Sequence, residues 1–140
     1  MWFAGLSVVI VWNVFHDPGF DYRLLVVGVL APDAVDIWLG GPRLLHTLIF
    51  SVGLLIVVMA VTRGRRSLRR RLLAIPIGTL LHLVLDGMWT RTQVFWWPFL
   101  GALFGRGHLP VLDRSVALLA VQELAGAIAL VWAWRRRLLR

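Results

Sequence analysis

LLHLVLDGMW, residues 80–89, is the stretch whose reading decides the fold. It is apolar except for His82 and Asp86. Residues four apart lie on one face of a helix, one turn above the other. Inside a membrane, an uncompensated Asp costs roughly 2.5–3.5 kcal/mol on insertion scales. Something must therefore offset the charge. Two sources suffice: polar neighbours on facing helices, or a bound cation.

The chain around this run is unusually oily. Of its 140 residues 59% are hydrophobic, and mean hydropathy is +0.79, above the about 45–50% apolar content of a soluble domain. Five apolar segments can be drawn, at 2–16, 24–39, 44–62, 72–89 and 116–134. They predict an all-α protein, a polytopic transmembrane bundle of about four to five membrane segments, as one integral membrane domain over 1–140. Pro32 and Pro76 predict kinks or breaks within the second and fourth segments. Trp residues gather near the predicted segment ends, where amphipathic rings meet headgroups. No internal repeat or linker divides the chain.

The formal charge of +8 is carried by Arg alone, and it is clustered. Arg63, Arg65, Arg66, Arg69, Arg70 and Arg71 form one block; Arg135, Arg136, Arg137 and Arg140 form the other. Both abut apolar runs, as cytoplasmic anchors do, so lipid rather than nucleic acid is the expected partner. With no Cys, disulfides and thiolate metal sites are excluded. The first run has no basic residue before Arg23, so it is read as a retained segment rather than a secretory signal. Placing both Arg blocks in the cytoplasm puts the C-terminus inside a bacterial plasma (inner) membrane and residues 90–115 outside.

That orientation brings Asp33, Asp36, His46, His82, Asp86 and Glu123 to one face at similar depth. Imidazole nitrogen with carboxylate oxygen is a ligand set for a divalent metal, zinc being the expected choice over manganese or iron. Asp33, His46, His82 and Asp86 are the expected ligands. Asp36 or Glu123 would orient or deprotonate a water. Arg43 and Arg91 flank the site and can hold a phosphate, or snorkel to the interface instead. The alternative is a non-enzymatic small membrane protein, a transporter subunit or assembly factor, in which the same residues form a structural polar or ion cluster.

The stretches LAPDAVD (30–36), GPRLLHTLIFS (41–51) and GTLLHLVLDGMWTRTQVFWWPF (78–99) resemble the membrane-bound metal-dependent hydrolase family, also described as LexA-binding, inner-membrane-associated hydrolases. The shared elements are Pro32, Asp33 and Asp36; Arg43, His46 and Thr47; His82 and Asp86; and Trp97 with Pro98. They cover about half the chain in the family's order. The resemblance implies a metal-dependent hydrolase; the expected depth of the site, at the extracytoplasmic face, points to a lipid or lipid-linked phosphate or ester as its substrate. Two departures stand out: the acidic element is Asp-x-x-Asp, and no His precedes His16.

Overall fold

The computed structural model describes residues 1–39, 44–90, 92–99 and 115–139. Among them there is no strand. Seven helices follow in order: α1 (Trp2–Phe15), α2 (Tyr22–Leu39), α3 (Leu48–Val61), α4 (Arg66–Leu72), α5 (Ala74–Leu85), α6 (Thr92–Phe95) and α7 (Val116–Arg135). Short 3₁₀ turns at Leu44–His46 and Met88–Thr90 precede α3 and follow α5.

The expectation of four to five membrane segments is corrected here. Among the described residues one helix, α7, is long and apolar enough to cross a bilayer. Its 20 residues rise about 30 Å, the thickness of the hydrocarbon core. The 14 residues of α1 and of α3 rise only about 21 Å each. The physical reason lies in local breaks that a sum of apolar residues does not register. α1 matches its apolar run, which is itself too short, and ends at Phe15 with His16 left-handed at φ 48. The third apolar segment does not start as a helix at residue 44, because Thr47 is extended and caps α3, its Oγ1 accepting from the Phe50 N–H at 3.2 Å. α2 is 18 residues long but carries Arg23, Asp33 and Asp36.

The prolines act differently from each other. α2 continues as a helix through Pro32. Pro76 sits in the first turn of α5, where a missing N–H costs nothing, and α4 ends at Leu72, the residue whose carbonyl the proline ring would meet. The predicted break is therefore found at Pro76. α5 closes with Asp86 as its C-cap and Gly87 at φ +72, the left-handed position that glycine fills without strain.

Packing is organised in two helix pairs, α2 with α5 and α1 with α7. Both pairs run parallel. Gly28 lies against Ile75, Gly78 against Leu25 and Val29, and Asp33 against His82 further along. A Cβ at Gly78 would sit 2.5 Å from the Leu25 carbonyl oxygen, and one at Gly28 would overlap the Ile75 carbonyl. The backbones touch because neither residue has a side chain, as in membrane helix pairs built on small residues. Gly5 and Gly126 form the same kind of contact between α1 and α7. Between the pairs lies one core, with Val8 and Val11 from α1, Leu25 and Val29 from α2, Ala74 from α5 and Ala133 from α7. Fully burying such an aliphatic side chain contributes roughly 1.5–3 kcal/mol.

This arrangement gives the molecule two unlike ends. The loop at 16–21, helix α4 and residues 135–139 meet at one, where Arg71 and Arg137 line a common pocket and the Arg23 Nε–H donates to the Leu139 carbonyl at 3.0 Å. Met1, Asp33, His46, His82 and Glu123 lie toward the other.

Candidate metal centre

Three elements each deliver one side chain to the centre. Asp33 comes from α2, one residue beyond the buried Pro32. His46 closes the 3₁₀ turn before α3, immediately ahead of the Thr47 cap that fixes the entry of the chain into the helix. His82 stands in the last turn of α5, one turn beyond the close approach at Gly78. Both histidines are 0% exposed, and the Asp33 side chain is 27% exposed. The histidine side of the centre is thus dry, and the centre reaches the surface through its carboxylate.

The three ligand atoms form a nearly equilateral triangle. His46 Nε2 and His82 Nε2 are 3.2 Å apart, and Asp33 Oδ1 lies 3.5 Å from the first and 3.4 Å from the second. A point equidistant from atoms so spaced is about 2 Å from each, which is the bond length zinc and similar ions require. Asp33, His46 and His82 would hold such an ion through one carboxylate oxygen and two imidazole nitrogens. The donor set therefore fits a divalent ion, and nothing in the triangle singles out zinc.

Electrostatics agree with the geometry. Burial by itself would raise the Asp33 carboxyl, but the hydrogen bonds and charge of His46 and His82 outweigh it and hold the group well below the ordinary carboxylate range. Asp33 is accordingly an anion at neutral pH, as a metal ligand must be. The Phe3 ring packs on His82 with centroids 4.7 Å apart and closes the wall from α1. His82 Nδ1 is buried without a hydrogen-bond partner among the described residues.

The structure brings Asp33, His46 and His82 together; Asp86 and Glu123 are not part of that cluster, and the side chains of three further expected residues lie outside the described residues. Asp86 is 3% exposed at the C-cap of α5, one turn beyond His82, but is not one of the residues whose ligand atoms converge. Glu123 lies on α7 and binds the Met1 ammonium at 2.6 Å. Asp36 belongs to α2, while its side chain falls outside the described residues, as do Arg43 and Arg91 altogether. Reading the sequence alone missed Phe3, Gly28 and Gly78. The glycines did carry a signal, since Gly inside a helix costs about 1 kcal/mol relative to Ala and is kept where backbones must touch.

Fold and cluster together define an all-helical chain with a buried Asp/His/His constellation able to coordinate a divalent metal. Compared with protein-family models, curated proteins and solved structures, the chain matches none.

Proposed function

We propose that this chain is a membrane-associated, metal-dependent hydrolase whose centre is Asp33, His46 and His82, acting on a lipid or lipid-linked phosphate or ester. The observation that carries the reading is the triangle of ligand atoms, with sides of 3.2, 3.4 and 3.5 Å, buried where three separate elements meet. Three protein ligands with the remaining position left to water or substrate would make a catalytic site, whereas Asp86 as a fourth ligand would make a closed, structural one. The ion, zinc by preference, would polarise the substrate oxygen and make water acidic enough to attack near neutral pH. His46 and His82 hold it from the dry side, and Asp33 supplies the compensating charge. Asp86, buried one turn on, is the fourth candidate ligand; Asp36 and Glu123 remain candidates for orienting water, and Arg43 and Arg91 for holding phosphate.

Membrane association is supported by α7 and by apolar side chains that face outward on several helices, such as Val27 on α2, Ile56 and Val57 on α3, and Leu124 and Ile128 on α7. The meeting of Arg71 and Arg137 in one pocket supports the two Arg blocks sharing one side, with the C-terminus cytoplasmic in a bacterial inner membrane. The assay is release of phosphate or phosphorylated headgroup from mixed lipid vesicles by the purified chain. Activity abolished by chelator and by His82→Ala is expected; activity surviving both overturns the metal mechanism.

One observation favours a second reading. Two neutral imidazoles 3.2 Å apart can share a proton, one donating and one accepting, and so form a purely structural polar cluster. In that case His82→Ala lowers stability and no metal is found.

A further inference from the structure

At the opposite end of the molecule a pocket of about 450 Å³ opens between α1, the loop that follows it, α4 and α5. Its walls are of two kinds. Phe15, Phe20, Leu73 and Ile77 make one side apolar, and Arg66, Arg69 and Arg70 make the other basic. Asp17 also lines the pocket, but its carboxylate is taken by Arg70 Nη2, which contacts both oxygens, and by the Gly19 N–H at 2.9 Å. Among the described residues no carboxylate pairs with Arg66 or Arg69. Arg69 Nε is shut off from water and has no hydrogen-bond partner among the described residues, so an acceptor reaching the pocket would satisfy it.

We propose that this pocket binds the headgroup and upper acyl chain of an acidic phospholipid. The reasoning is independent of the metal centre. A planar guanidinium fork matches phosphate oxygens. A soluble phosphate or a nucleic acid has no use for a wall of two Phe, a Leu and an Ile; an acyl chain does. The pocket also lies at the end of the molecule where α7, the helix able to cross a bilayer, finishes in Arg135 and leads into Arg136 and Arg137. There an anionic leaflet would surround it. Phosphate meets Arg66 and Arg69, the chain runs along Phe15 and Ile77, and Arg70 remains tied to Asp17.

The test is native mass spectrometry of the full-length chain in non-ionic detergent, titrated with short-chain phosphatidylglycerol or phosphatidylcholine. A single retained phosphatidylglycerol, preferred over phosphatidylcholine, is expected. Arg66→Gln with Arg69→Gln should weaken it about 10- to 30-fold, on a scale of about 1 kcal/mol for each basic residue at an anionic surface. Arg135→Gln with Arg136→Gln removes the same charge outside the pocket and should change binding less than about twofold. Phe15→Glu, at a position already 54% exposed, offers a second variant with no demand on the core and should also abolish the preference. Glycerol phosphate at millimolar concentration should not displace the lipid. Equal binding of both lipids, equal loss in the two double variants, or displacement by glycerol phosphate would each overturn the proposal.

Discussion

The two ends of this molecule use charge in opposite ways. Toward one end, three ionisable groups are drawn into the protein from three elements and held within 3.5 Å of one another. At the other, most charge lies nearer the surface: Arg71 meets Asp21 at 3.2 Å with side chains 66% and 18% exposed, and the paired Arg70 and Asp17 side chains are 56% and 35% exposed. Exposed ion pairs of the second kind contribute about 0–1 kcal/mol and weaken with salt. The cluster follows other rules. Removing one member strands the others in a dry place, where an uncompensated polar group costs several times more. Substitutions at the cluster end should therefore be severe and specific, and those at the basic end mild and graded.

The largest effect is expected not at a ligand but at the backbone contact that places the ligands. In Gly78→Leu the new Cβ meets the Leu25 carbonyl oxygen at 2.5 Å and the Val29 nitrogen at 2.8 Å, neither of which can swing away. α2 and α5 must part, carrying Asp33 from His82. We expect a loss of at least about 1–3 kcal/mol and no metal retention, read by thermal unfolding and elemental analysis. Gly53→Ala is the matched control. Nothing lies within 4 Å of its Cβ position on α3, so it should be neutral or stabilising by about 0.5–1 kcal/mol. Equal damage from both would mean that the close approach of α2 and α5 does not hold the site.

Orientation comes next. Single Cys residues at Ser67 and at Ser115 are expected to be protected and labelled, respectively, by an impermeant thiol reagent in intact cells. The reverse pattern would move the metal centre to the cytoplasmic side.

Asp33 gives the pH dependence. Its carboxyl is held below the ordinary range in the folded chain, so its contribution is complete above the unfolded value of about 3.9 and disappears as pH falls toward the lower folded value. The wild-type chain should lose stability on acidification below about pH 4, and Asp33→Asn should show a flatter profile in that window. An unchanged profile would contradict the assignment. The smallest effect is expected for Asp17→Asn, which removes the exposed partner of Arg70 and should leave the melting temperature nearly where it was.

Much of the candidate site was legible in the sequence, for a definite reason. His82, Asp33 and His46 are polar residues in or beside apolar runs, a pattern that marks them out before any contact is known. The structure also places Glu123 toward that end, yet on α7 and against the Met1 ammonium. The membrane segments were read less well. Hydropathy adds up side chains and ignores where the helix stops, so a Thr47 cap and a proline ring at Pro76 each shortened a run that looked continuous. The packing of Gly28 on Ile75 was illegible for a further reason: which helices pair is a tertiary fact, and the glycine signals only that something comes close.

The central claim is that Asp33, His46 and His82 are one divalent-metal site. Titration of the metal-stripped, detergent-purified chain with Co²⁺, followed by visible absorption, tests it most directly. The account predicts saturation at a single ion per chain with the strong bands of a four-coordinate nitrogen–oxygen site, lost in His46→Ala and in His82→Ala and kept in Asp17→Asn. A wild-type chain that takes up no cobalt, or one whose bands survive both histidine substitutions, would contradict it.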